Sequence, residues 1–166
     1  GGVNKEETLF EGIIIGLRIL ADKDFRSCMV VECRNNTYSA TQGRKNRIFE
    51  KKNDNDIIKE VLAAYGSVDV DATSYQHPTL VQYYCSDWDF ALSRADANGL
   101  FVYTEGSKIK VKKPEVNASP VLTVTYGTDI TAFDLELSSD DQFTQYEAVS
   151  WCPKTQKAVK VSASTP

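Results

Sequence analysis

Residues 82–99 read Gln82-Tyr83-Tyr84-Cys85-Ser86-Asp87-Trp88-Asp89-Phe90-Ala91-Leu92-Ser93-Arg94-Ala95-Asp96-Ala97-Asn98-Gly99. Ser86 followed three residues on by Asp89 is a capping-box-like helix start. Trp88, Ala91, Leu92 and Ala95 trace one apolar face, and Asn98-Gly99 is a stop. The spacing predicts a helix over 87–98, with Trp88 and Leu92 as core anchors. This helix sits in a chain that otherwise reads largely as strands, so it decides between an all-β and a mixed fold.

Working outward, a second helix is predicted over 54–65. Asn53 is its cap, with Asp56 three residues on. Ile57, Ile58, Val61, Leu62 and Tyr65 form one stripe, and Gly66 stands at the C′ position. Between the helices, Val68 and Val70 alternate with acids as a short strand over 67–73. Residues 75–79 read as a polar loop, because His77 precedes Pro78. Beyond Gly99, residues 100–104 and 108–112 make a hairpin around Glu105-Gly106-Ser107. Lys108, Lys110 and Lys112 share one face and Ile109 and Val111 the other, the pattern of a solvated or edge-protected strand. Residues 114–120 are a linker.

Toward the N-terminus, residues 8–21 are Ile- and Leu-rich and broken by Gly12 and Gly16, which suggests a strand with a bulge or tight bend, as at a barrel corner. A turn at Asp22-Lys23-Asp24 leads to a strand over 26–34, completing a hairpin. Asn35-Asn36 turns the chain again. Residues 38–50 read as polar, with a basic cluster at Arg44, Lys45 and Arg47 backed by Lys51 and Lys52. After the linker, strands are expected over 121–126, 130–137, 143–151 and 158–162, separated by Gly127, residues 138–141 and Pro153. The fold class is therefore α+β, a helix–strand–helix–hairpin insert in an antiparallel β body.

Composition narrows the function. The 166 residues carry 19 Lys and Arg against 23 Asp and Glu, a net charge of −4, which lacks the basic excess that nucleic acid or membrane surfaces attract. No apolar run approaches the ~20 residues of a membrane span. Residues 1–7 lack the positive lead and apolar centre of a signal peptide. Gly1-Gly2 reads either as a tag scar or as the start of an excised fragment.

Chemistry-bearing constellations are sparse. The single histidine, His77, reads as a surface or half-buried loop residue, and no nucleophile elbow accompanies it. One histidine also starves a zinc site. Acid pairs recur at Asp22/Asp24, Asp54/Asp56, Asp69/Asp71, Asp87/Asp89 and Asp140/Asp141. Counted as EF-hand loops from Asp22, Asp54 or Asp69, position 12 falls on Cys33, Tyr65 or Leu80, so each fails. They read as capping and turn residues. Asp87/Asp89 could serve a glycosidase only with one raised pKa. The basic cluster reads as a solvated loop face, with an acidic partner surface as the alternative. Cys28, Cys33, Cys85 and Cys152 contain no C-x-x-C pair and read as small buried residues; a disulfide framework is unexpected at this size. The expectation is no catalytic, cofactor or metal residues and no cofactor.

The 82–99 block resembles the signature of VgrG proteins, the Rhs element Vgr spike proteins of type VI secretion systems, related to phage baseplate-hub and late-control tail proteins. Leu9-Phe10-Glu11-Gly12, Gly43 to Arg47, Asp54 to Ile58, Tyr65-Gly66, Tyr126-Gly127-x-Asp129-Ile130 and Trp151-x-Pro153-x-x-Gln156 are similar to other family segments. The family usually has Asp where Cys152 follows Trp151. The resemblance implies a phage tail protein-like, barrel-like hub fragment: residues 1–52 part of a first hub β-barrel, 53–114 the α/β insert, 115–166 strands of the hub body. The family's oligonucleotide-fold module and needle would lie beyond Pro166. It further implies a structural, non-catalytic role in a contractile injection spike, adapting tube to spike. A cell-wall hydrolase or binding module using Asp87/Asp89 is the alternative. Implied partners are two further copies in a homotrimer of the full-length protein, a hexameric tube protein, baseplate components and effector cargo, with no nucleic acid and no membrane insertion. The implied setting is bacterial, with assembly in the cytoplasm and delivery as part of the spike. The fragment alone is expected to be a monomer or weak oligomer, with Lys108 and Lys110 discouraging edge pairing.

Overall fold

Strand alternation near the N-terminus sets the first element. In the computed structural model, which describes residues 8, 10–21, 27–138, 140 and 143–164, β1 (Ile13–Leu20) pairs antiparallel with β2 (Cys28–Arg34), and the register shifts between Ile14 and Gly16, the bulge that the inserted glycine suggests. A 3-10 helix (Asn36–Thr41) follows, then β3 (Lys45–Asn53), α1 (Asp54–Leu62), β4 (Ser67–Val70), β5 (Gln76–Cys85), α2 (Asp87–Asp96), β6 (Phe101–Glu105) and β7 (Lys108–Lys112). The last strands are β8 (Gln145–Cys152) and β9 (Lys157–Ser164). The chain divides into two compact units, Gly1–Ala118 and Ser119–Pro166. The expected turn at Asp22-Lys23-Asp24, and Gly1-Gly2, Leu9 and Asp141, lie outside the described residues.

In the first unit, β3 pairs antiparallel with β5, and β7 lies between β4 and β6. Four residues of the stripe read for α1 are fully buried, Ile57, Ile58, Val61 and Leu62, and join Phe49, Phe90, Ala91, Ala95, Ile109 and Val111 in one core, with Tyr65, beyond the end of α1, partly buried against it. Phe49 and Phe90 stack at 5.8 Å. The hairpin β6–β7 turns at Gly106, whose φ is +56°. Gly99 ends α2 at φ +64°, as a C′ glycine should.

Several expectations are corrected. The polar 38–50 segment contains most of β3, and His77-Pro78 lies within β5 rather than in a loop. Pro78 is tolerated because β5 belongs to a two-stranded sheet and has a free edge. Within the insert one pairing is parallel, β4 with β7, while the ladders β1–β2 and β8–β9 outside it are antiparallel. β7 is a central strand, so its lysines guard no edge. Gly66 does not adopt a left-handed φ; a Cβ there would sit 2.6 Å from the Ser107 carbonyl oxygen, so close backbone approach is what demands glycine. The α1 start is capped from outside the helix, since Thr73 Oγ1 accepts the Asn55 N–H at 3.1 Å and the Asn53 side chain donates to the Thr73 carbonyl at 3.0 Å. Residues 121–126 and 130–137 form no strands; they share only the bridge of Tyr126 with Ile130. An extended segment becomes a strand only when a neighbour takes its backbone hydrogen bonds, and among the described residues these find none. No sheet among the described residues closes into a barrel.

The face of α2 is also rotated from its expected phase. Asp87, Phe90, Ala91 and Ala95 are buried, whereas Leu92 is 39% exposed and Trp88 lies half-buried at the margin of the core. Phe90, at 7% exposure, is the anchor. Phe90→Ala should cost about 3–4 kcal/mol in urea denaturation at neutral pH, whereas Leu92→Ala should cost under about 1 kcal/mol. Equal losses would refute this packing.

Candidate functional site

Two carboxylates, each the first residue of a helix, are taken out of water. Asp87 opens α2 and is 1% exposed. Its Oδ2 accepts from Lys45 Nζ at 2.7 Å and from the Tyr65 hydroxyl at 2.8 Å, and Arg47 stands 3.4 Å away. Its Oδ1 accepts from Gln82 Nε2 at 2.9 Å. The basic cluster is thus only partly a solvated face: Arg44 is exposed, whereas alternation along β3 sets Lys45 and Arg47, 39% and 33% exposed, on the side of buried Phe49, where they neutralise an acid 40 or more positions away. Burial pushes the Asp87 carboxyl up. The hydrogen bonds from Gln82, Lys45 and Tyr65, with the charge of Arg47, outweigh that and hold it below the ordinary carboxylate range. The same hydrogen bonds to Asp87 and Tyr65 raise Lys45.

Asp54 opens α1 and meets the far end of α2. Its Oδ1 accepts from Arg94 Nε at 2.8 Å and its Oδ2 from Asn98 Nδ2 at 2.9 Å. His77 Nε2 stands 3.1 Å from Oδ2. Here too burial raises the carboxyl, and the bonds from Asn98, His77 and Arg94 win, leaving it lowered. α1 and α2 are therefore latched head to tail at both ends, with acids at helix starts and Arg94 in a last turn, where the helix dipoles favour them.

Asp89 plays the capping part read for it, whereas Asp69 lies within β4 rather than in a turn. Ser86 Oγ accepts the Asp89 N–H at 3.0 Å and donates to Asp89 Oδ2 at 2.7 Å, closing the capping box. Lys112 Nζ bridges Asp69 Oδ1 at 2.8 Å and Asp71 Oδ1 at 3.1 Å. Asp71 also accepts the Lys113 backbone N–H, which with Lys112 lowers its pKa. All four cysteines are free; Cys28 is exposed and Cys33, Cys85 and Cys152 are half-buried, correcting the expectation that they are buried. Among the described residues no group of three His, Cys, Asp or Glu side chains could hold a metal ion.

Beside the Asp87 junction, β5 bulges at Tyr83-Tyr84 opposite Asn46 of β3, whose Oδ1 accepts the Tyr84 N–H at 2.9 Å. Tyr84 is held at φ +46°, strained for an aromatic residue, and Arg44 stacks 5.0 Å over its ring. Chemically, the Asp87 junction orients and locks; a buried carboxylate with four donors, held ionised, has no proton to give as a general acid. Sequence reading missed Lys45, Arg47, Tyr65 and Gln82 as its members, and Arg94 and Asn98 as partners of Asp54. The available signal was the period-2 placement of Lys45, Arg47 and Phe49.

Both carboxylates are depressed, so their contribution is complete above the unfolded value near 4 and is lost as pH falls through the lower folded values. Asp87→Asn should lower stability at pH 7 by about 2–3 kcal/mol. It should also flatten the loss between about pH 5 and 2, measured by urea midpoints across that range. An unchanged pH profile would show that the clamp stores no charge-dependent stability.

Among solved structures, the chain is similar to the tail protein from Neisseria meningitidis MC58, with a TM-score of 0.66 and 16% identity over 93% of this chain and 50% of that one. It is similar too to the 43 kDa tail protein of prophage MuSo2 from Shewanella oneidensis, with a TM-score of 0.65 and 10% identity over 96% of this chain and 56% of that one. The chain thus spans about half the length of these structures, and shares their fold. No curated protein matches it. No helix among the described residues is long and apolar enough to cross a membrane. The family model for the Alg8 N-terminal domain matches residues 1–166, and the chain belongs to that family.

Proposed function

We propose that the chain is a non-catalytic structural segment of a phage tail-like injection machine, the hub region of a spike of the VgrG or Rhs element Vgr kind. In this reading it adapts a tube to a spike. It acts in a homotrimer of the whole protein, beside a hexameric tube protein and baseplate components, with effector cargo carried by the same assembly. The setting is bacterial, with assembly in the cytoplasm and delivery with the spike.

The observation that carries the reading is the state of the two ribbons. β1–β2 exposes Ile14, Leu17, Ile19 and Met29 on its two faces, and β8–β9 exposes Tyr146, Val149, Trp151 and Val161. Soluble monomers rarely leave such contiguous apolar strands uncovered, and each ribbon also keeps free edges. Surfaces of this kind suit β-rich subunit contact, in which strands complete a barrel-like body only on assembly. The tail-protein fold supports the same reading. The buried clamps at Asp54 and Asp87 supply rigidity rather than chemistry.

Light scattering of the chain tests it. The expected result is a monomer at low micromolar concentration that associates reversibly as concentration rises, with Leu17→Asp and Ile19→Asp together abolishing the association. A strict monomer indifferent to these changes would overturn the assembly reading. Hydrolysis of peptidoglycan that Asp89→Asn removes would overturn the non-catalytic one.

A further inference from the structure

Alternation along the β4–β7–β6 sheet separates two faces. Val68, Val70, Ile109, Val111 and Val102 face the core or pack against it. The opposite face carries Asp69 beside Lys110 beside Tyr103, and the row of Lys112 beside Phe101 next to it. This face holds an open groove of about 690 Å³, lined by Asp69, Asp71, Phe101, Tyr103, Lys110 and Lys112 among others. Phe101 is 64% exposed and Tyr103 45% exposed. Neither ring contributes to the core, and neither takes part in the carboxylate clamps.

We propose that this groove binds an uncharged oligosaccharide. The two rings stand on one face of one strand, two residues and so about 7 Å apart, close enough for one sugar chain to cover both. A pyranose presents a C–H-lined apolar face that an exposed aromatic ring can take up. The charges lining the groove balance, with Lys110, Lys112 and Lys113 against Asp69, Asp71 and Glu115. Lys112 holds Asp69 and Asp71, and Lys110 pairs with Glu105 while standing 6.0 Å from the Tyr103 ring centroid. A charged ligand would meet as many like charges as opposite ones. A hydroxyl suits either sign, because a carboxylate has acceptor positions beyond those its lysine uses, an ammonium has three donors, and a hydroxyl both donates and accepts. Orientation is prepaid, since Asp71 is pinned by the Lys113 backbone N–H at 3.0 Å as well as by Lys112. Apolar platforms with a few fixed polar groups in one concavity are the ordinary composition of a small-ligand site. A peptide joining the sheet as a strand would instead run along the free edge of β6 or β4 and leave the rings uncovered.

The test is a titration of the whole chain, followed by amide ¹H–¹⁵N spectra. The probes are cellohexaose, the hexamer of N-acetylglucosamine and, as the charged comparison, a heparin hexasaccharide. With at least one of the two neutral sugars, saturable shifts are expected at residues 69–71, 101–103 and 110–113, with a Kd of about 1 mM or tighter. Phe101→Ala and Tyr103→Ala should each weaken binding about tenfold. Both should leave the thermal midpoint within a few degrees, because the rings are exposed. Ile48→Ser, on the outer face of the β3–β5 sheet, should leave binding unchanged. No saturable shift with either neutral sugar to about 10 mM, shifts confined to other surfaces, unchanged affinity in Phe101→Ala, or preference for the heparin hexasaccharide would each overturn the proposal.

Discussion

A carboxylate withdrawn from water at the start of a helix must be met by donors from elsewhere, and the donors that meet Asp87 come from three separate parts of the chain. Lys45 and Arg47 come from β3, Tyr65 from the turn after α1, and Gln82 from β5. Leaving such a charge unpaired inside a protein costs several kcal/mol. The position of α2 against the β3–β5 sheet is therefore specified by charge as well as by the stacking of Phe49 on Phe90. Apolar packing alone tolerates small slides; a four-donor cage around one carboxylate does not. Gln82 Oε1 stays buried without a partner, a cost accepted so that Gln82 Nε2 can face Asp87.

The second carboxylate extends the same logic. Asp54 ties the beginning of α1 to the end of α2, while Asp87 ties the beginning of α2 to the residue just beyond α1. Both latches use long-range pairs, so neither short helix needs to be stable alone; isolated helices of nine and ten residues would be marginal. β7 completes the arrangement from the other side. Its Ile109 and Val111 enter the core, and its lysines bind acids of β4 and β6 on the opposite face. A central strand can carry three lysines because each side of the pleat answers to a different solvent.

This division explains what could be read from the chain and what could not. The helices, the β6–β7 hairpin, the Gly16 bulge and the Ser86–Asp89 cap are local signals, decided within a few residues, and all are legible. β3 was hidden because its inward residues are Lys45 and Arg47, which a local reading assigns to water. Only Asp87, far along the chain, draws their charged ends to the buried side. The lysines of β7 misled in the opposite direction, since alternation with Ile109 and Val111 is the same for a central strand and an edge strand. The phase of α2 slipped by one position because Asp87 is buried and Leu92 is not, an inversion that hydropathy cannot foresee. Gly66 looked like a helix stop and proves to be a clearance for the Ser107 carbonyl.

The same contrast bears on residues 119–166. Their sequence alternates as strands should, yet among the described residues only β8 and β9 pair into a ladder, and their apolar side chains remain exposed. A two-stranded ribbon is marginal in water because it can bury neither face. Strand-like patterning records which side chains would be covered if a second layer were present; it does not supply the layer. The helical layer over β4–β7–β6 has its own cover in α1 and α2, and there pattern and burial agree. In the ribbons they disagree, and alternation without burial is the mark of a surface whose partner lies outside the element itself. That is the physical ground of the assembly role proposed for β1–β2 and β8–β9, whereas the clamped core around α1 and α2 is covered by its own elements.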